Sequence, residues 1–215
     1  AGATHTAVDF ALPAAKLSSL VPGRSARFSL VDGLQRHWAS LEAVAGRSYC
    51  AQIAPDATGS AASTPTLTAF RHDGTTVIAG GTSGARMACF VAPATETILL
   101  RLAQADSSSR AYRLTVTETT LWANWFFVGG DYSSYTLLRN TTASSLPTVI
   151  VWRSSTGAEV GRLNVTIPAH GVVYYDARAK TVGAAAGSVE VAHDGEPQAL
   201  VGSQTTLSVG TGLSF

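Results

Sequence analysis

The chain has 215 residues, of which 46% are hydrophobic and only 13% charged, about half the usual charged share of roughly 25%. That length exceeds the about 100 to 150 residues of an ordinary single domain and predicts two. Its net charge of +1, with thirteen arginines scattered through both halves and lysine only at Lys16 and Lys180, argues against nucleic acid as a partner, and no apolar run reaches the about 18 to 20 residues of a membrane-inserting helix.

A surface this poor in charge must be built from Ser, Thr, Gly, Gln and Asn. The scarcity of Lys, Glu and Gln suits strands better than helices and an extracellular protein better than a cytosolic one. The start Ala1-Gly2-Ala3, without an initiator Met, has the form of a mature product released after a small residue, so secretion or display at the cell surface is expected. Over 6–12, Val8, Phe10 and Leu12 alternate with Ala7, Asp9 and Ala11. One dry face results, which makes these three a candidate donor strand for a neighbour's sheet edge. A single helical turn is predicted over 13–20, stopped by Pro22-Gly23.

Strands are then predicted over 26–31, 37–44, 48–53, 66–71, 76–79, 86–91, 95–103 and 111–117. They are rich in Val, Leu, Thr and aromatics and are separated by Gly, Pro, Asp and Ser clusters. His72-Asp73-Gly74 carries hairpin-turn chemistry, because Asp and Gly tolerate positive φ. Cys50 and Cys89 fall in two of these strands. A disulfide between neighbouring strands is the first reading in an oxidising compartment, with two buried free thiols as the alternative. Two sulfurs without a Cys-x-x-Cys or His partner make no metal site, and no cofactor is expected.

From Leu121 the pattern restarts, with strands over 122–128, 134–139, 148–153, 159–167, 172–176, 188–192 and 198–207. Seven strands is the count of one immunoglobulin-like sandwich. The predicted fold is therefore all-β, two consecutive β-sandwich domains of jelly-roll or immunoglobulin-like type, over 1–120 and 121–215. The short junction at 118–121 implies that they are held rigidly, with Leu121, Trp122 and Trp125 covering the contact. The Gly-rich stretch 183–187 reads as a connection.

No constellation for chemistry emerges. There is no Gly-x-Ser-x-Gly, the five histidines lack ligand spacing, and Glu and Asp are scattered singly, so no enzyme is predicted. Two N-glycosylation sequons start at Asn140 and Asn164; the first sits at a strand end where a glycan would project, and both read as chance matches. Trp122, Trp125, Tyr132 and Tyr135 crowd the start of the second half around Gly129-Gly130-Asp131, with Phe126 and Phe127. They are either an exposed interaction surface or interdomain core.

Four stretches of the first half carry a resemblance: His37-Trp38-Ala39-Ser40-Leu41 running through Ala45-Gly46 to Tyr49; Thr66-Leu67-Thr68-Ala69-Phe70 running into Asp73-Gly74; Ala92-Pro93 followed by Ile98-Leu99-Leu100; and Tyr112-Arg113-Leu114. In this order they resemble the bacterial pre-peptidase C-terminal (PPC) domain over about residues 22–117. The resemblance implies an accessory β-sandwich for secretion, folding or surface attachment. Some members bind calcium, but the acidic residues that often precede the aromatic are absent at Gln35-Arg36-His37-Trp38, as are those that often follow the hairpin at Gly80-Gly81-Thr82-Ser83-Gly84. The second half is similar to immunoglobulin-like domains of secreted bacterial surface proteins through Tyr135-Thr136-Leu137-Leu138 and Ile167-Pro168-Ala169-His170-Gly171. The expected function is a non-catalytic extracellular structural or interaction protein, self-associating as a surface or filament subunit or binding another surface protein. The alternative is an accessory module that binds polysaccharide or protein beside a secreted hydrolase.

Overall fold

A computed structural model of the chain describes residues 17–30, 36–55, 65–82, 85–103, 110–183, 185–208 and 210–211. The candidate donor strand Val8, Phe10 and Leu12 lies outside the described residues. Among those described, the regular elements are strands and a 3-10 turn at Ala177–Ala179. The fold is all-β, built from four sheets.

Two of these sheets are formed by β1 (Ser18–Leu20), β2 (Ser25–Leu30), β3 (Arg36–Ala43), β4 (Ser48–Pro55), β5 (Thr66–Phe70), β6 (Val77–Gly80), β7 (Met87–Val91), β8 (Glu96–Ala103) and β9 (Arg110–Glu118). Their orders are β1-β3-β8-β5-β6 and β2-β9-β4-β7. The period-two alternation drives Ala39, Leu41, Ile98, Leu100 and Leu102 of the first sheet against Tyr49, Ala51, Ile53, Leu114 and Val116 of the second, in one buried cluster. Each large aliphatic side chain buried there stabilises the sandwich by about 1.5–3 kcal/mol. The helical turn expected over 13–20 is, at its described end, strand β1 pairing in parallel with β3. An isolated turn gains one hydrogen bond for several fixed dihedrals, whereas the extended form places Leu20 in the core. Cys50 and Cys89 face each other directly across β4 and β7 and are joined as a disulfide.

The other two sheets come from β10 (Leu121–Val128), β11 (Tyr132–Asn140), β12 (Leu146–Ser154), β13 (Glu159–Ile167), β14 (Val172–Asp176), β15 (Ala185–His193) and β16 (Leu200–Ser208). Here the orders are β10-β15-β12-β13 and β14-β11-β16. Phe126, Ile150, Trp152, Val189 and Val191 meet Leu138 and Leu200 in a second core. In the immunoglobulin order the last strand joins the sheet of the third and sixth. In this chain the place beside the sixth strand, β15, belongs to the first strand, β10, and the last strand, β16, lies against β11. The stretch 183–187, read as a connection, supplies the start of β15. Gly187 is needed there because a Cβ would come within 1.9 Å of the Arg153 carbonyl oxygen.

Asn140 corrects a second expectation. It is fully buried, and its Nδ2 donates to the carbonyls of Ser144, Ile167 and Pro168 while its Oδ1 accepts from the Thr142 backbone N–H and hydroxyl. The amide nitrogen that a glycan would need is spent on closing the corner between β13 and β14. Asn164, within β13, is the exposed one.

The two sandwiches meet through the outer face of the β4–β7 pair. Ser48 anchors the seam: its N–H donates to Thr120 Oγ1 (2.9 Å), its carbonyl accepts from the Thr119 N–H (2.9 Å) and its Oγ accepts from the His193 N–H (2.6 Å). The Arg47 guanidinium lies 5.0 Å from the Trp122 ring centroid and 3.6 Å from the Glu118 carboxylate. A groove of about 520 Å³ runs beside this seam, between Cys89 and Val91 on one side and Pro147, Val149 and Asn164 on the other.

Candidate functional site

Sheet β14-β11-β16 turns alternate residues of each strand away from the core. Leu138, Val173 and Tyr175 pack inward, so Leu137, Val172 and Tyr174 point out. The register arranges the outer face in three rows: Val172, Arg139 and Val201; Tyr174, Leu137 and Ser203; Asp176, Tyr135 and Thr205. Among the described residues nothing covers the middle of it. Tyr174 is 71% exposed, Val172 57%, Leu137 44% and Val201 43%. A patch of adjacent large apolar groups on one flat face differs from the singly scattered apolar residues that any surface carries.

A second feature follows the edge of β10. A bulge between Ala123 and Phe126 leaves Asn124 and Trp125 both exposed, as bulges re-aim side chains. Because β10 and β16 come together across the open side of the sandwich, a crevice of about 250 Å³ lies between them. Trp122 and Trp125 stand over it, Leu138, Val189 and Val191 line it, and Asn124, Thr136, Gln204 and Thr206 supply polar atoms. Gln204 Oε1 accepts from the Thr136 hydroxyl (2.7 Å), while its buried Nε2 has no partner. Past Trp125 a second hollow of about 360 Å³ continues, bounded by Trp125, Phe127, Tyr132 and Thr206. The Trp125 and Phe127 rings lie parallel with centroids 6.0 Å apart, and Tyr132 meets Phe127 edge-on. Among the described residues no charged one lines either hollow.

Of the aromatics singled out in the sequence, the structure gathers Trp125 and Tyr132 around Phe127. It sets Trp122 at the other end of β10 under Arg47, and places Tyr135 on the outer sheet face. Phe126 alone of the group is fully buried. Sequence reasoning passed over Leu137, Val172, Tyr174 and Val201. The signal was present: Leu137-Leu138 and Val172-Val173-Tyr174-Tyr175 are apolar on both faces of their strands, and a two-layer sandwich covers only one face. Gln204 and Thr136 gave no comparable signal, since inward polar residues in a strand look like outward ones until the register is known.

Charged groups concentrate elsewhere. Arg71 reaches Glu96 through its guanidinium (2.9 Å), and the His72 ring also contacts that carboxylate. The Arg71 and His72 hydrogen bonds hold the Glu96 carboxyl below its ordinary range, and the cluster ties the Asp73-Gly74 hairpin to β8. Among the described residues no group of three or more His, Cys, Asp or Glu is placed to hold a metal, and no helix is long and apolar enough to cross a membrane.

No family model matches the chain, and no curated protein matches it. Among solved structures, the full extracellular region of zebrafish Gpr126/Adgrg6 is 9% identical with a TM-score of 0.30; the match covers 85% of this chain and 34% of that one. A Bacteroides uniformis β-glucuronidase is 9% identical with a TM-score of 0.27, over 85% and 25% of the respective chains. The chain thus spans about a third or less of these structures, and likeness at this level carries no argument about function.

Proposed function

We propose that this chain is a non-catalytic extracellular interaction protein that associates with a second copy of itself through the outer face of sheet β14-β11-β16. The observation that carries this reading is the uncovered apolar centre of that face, Tyr174 and Leu137 flanked by Val172 and Val201. Its charge layout suits self-pairing. Arg139 lies in one outer row and Asp176 in the opposite one; the Asp176 Oδ1 caps the Ala177–Ala179 turn and its Oδ2 is left for a partner, so a two-fold axis along the Tyr174, Leu137 and Ser203 row turns the Arg139 row of each copy toward the Asp176 row of the other while Tyr174 and Leu137 stack. The disulfide favours an oxidising compartment, and the resemblance of residues 22–117 to accessory modules of exported proteins points the same way. Such a pair is closed. A filament requires a further head-to-tail contact, for which the segment holding Val8, Phe10 and Leu12 is the candidate.

The test is sedimentation equilibrium of the wild type beside the double variant Leu137→Thr, Tyr174→Thr, which keeps good strand formers at exposed positions. The wild type is expected to dimerise, and the variant to do so at least about tenfold more weakly. A wild type that stays monomeric at the highest concentration, or a variant that pairs equally well, overturns the reading.

A further inference from the structure

We propose that the β10 edge of the second sandwich is a binding site for a neutral polysaccharide, two consecutive sugar rings lying in the two hollows on either side of Trp125. This site is separate from the self-association face, and neither proposal depends on the other.

The chemistry of the lining selects the ligand. A pyranose ring has one or two flat C–H faces that pack on an aromatic ring and a rim of hydroxyls that hydrogen-bond, so it needs aromatic walls and uncharged polar groups side by side. The first hollow offers that combination: Trp125 at the mouth and Trp122, its ring under Arg47, at the far end, with Asn124, Thr136, Gln204 and Thr206 between them. Within it, the buried Nε2 of Gln204 is an orphan donor. The Thr136 hydroxyl already occupies the Oε1 of the same amide. A buried donor without a partner is costly to leave unmade; closed off from solvent as it stands, it would be satisfied by a sugar hydroxyl or ring oxygen once the amide turns toward the hollow. A wholly apolar guest would leave it bare.

The second hollow shares Trp125 and Thr206 with the first and is walled by Phe127 and Tyr132. Two contiguous depressions joined at one indole suit a chain of linked rings better than a single small molecule. Among the described residues no Arg, Lys, Asp or Glu lines either hollow, and Arg47 reaches only the Trp122 ring, which favours a neutral glycan over a uronic or sulfated one that would require a facing cation to replace its hydration. The bulge at Asn124 and Trp125 has a purpose on this account: without it, strict alternation would turn one of the two away from the crevice. The competing occupant is a β-strand of another protein chain added along β10, which would use the unpaired strand edge and leave the Gln204 donor without a defined partner.

Affinity electrophoresis in gels containing xylan, mixed-linkage β-glucan, galactomannan or polygalacturonate tests the site. Wild-type protein is expected to be retarded by at least one of the three neutral polymers and not by polygalacturonate. Trp125→Ala, an exposed change that leaves the core intact, is expected to weaken binding about tenfold or more. Gln204→Leu should weaken it while thermal unfolding stays cooperative. The Leu137→Thr, Tyr174→Thr variant should bind as the wild type does, so that failure of self-association and failure of the glycan site are read separately. Absence of retardation in all three neutral gels overturns the proposal. So does equal retardation of Trp125→Ala, or a Trp125→Ala change in oligomeric state without a change in glycan binding, which would assign the edge to a protein strand.

Discussion

His193 sits at the seam with its ring buried, its Nδ1 accepting from the Gly195 N–H (3.2 Å) and its side chain hydrogen-bonded to the Thr119 backbone. Burial pushes its pKa below the ordinary 6.5, against the smaller opposing pulls of the Thr119 bond and Asp194. An unfolded chain then binds a proton that the folded one refuses. His193 therefore costs nothing above pH 6.5, and stability declines as pH falls from that value through the lowered folded-state pKa. Thermal unfolding between pH 7.5 and 5.5 (about one unit either side of the unperturbed pKa) should show this slope, and His193→Gln should flatten it; an unchanged slope in the variant would contradict the assignment. Trp152 lies fully buried on β12 with no partner for its indole N–H. Its value is packing, and Trp152→Ala should lower stability by about 3–5 kcal/mol in chemical denaturation. The roles of His193 and Asn140 were not legible in the sequence. His193-Asp194-Gly195 reads as a solvated turn until the seam closes over it, and Asn140 reads as a surface sequon until its carbonyl partners are brought to it by the β13–β14 corner.

Strands, in contrast, were legible wherever apolar residues alternate, as in Tyr112, Leu114 and Val116 of β9. The start of β15 escaped because Ala185-Ala186-Gly187 has no strand propensity of its own. It is held by pairing of all three residues with β10 and of Gly187 also with β12, a case of tertiary context overriding local preference. That dependence makes Gly187 sensitive: Gly187→Ala should destabilise by about 1–3 kcal/mol, because the added Cβ must displace the backbone around Arg153. The disulfide acts at the same scale. It closes a separation of 39 residues between paired strands, so Cys50→Ala with Cys89→Ala should cost about 2–5 kcal/mol without changing the fold, read as a lower denaturation midpoint with an unaltered far-ultraviolet spectrum.

At the scale of the whole molecule, the seam built on Ser48 leaves the apolar outer face of sheet β14-β11-β16 bare among the described residues. The sequence conveyed two sandwiches and a short junction between them. It conveyed neither which sheet would be left uncovered nor that β10 and β16 would exchange the places of the terminal strands, since both depend on pairings between residues far apart in the chain. The central claim is that two copies meet on that face about an axis near Leu137. Mild oxidation of a Leu137→Cys variant, read on a non-reducing gel beside a Val77→Cys control at an exposed position of the first sandwich, tests it most directly. The account predicts rapid covalent dimers from Leu137→Cys and none above background from Val77→Cys; equal cross-linking of the two, or none from either at concentrations well above those of the gel, would contradict it.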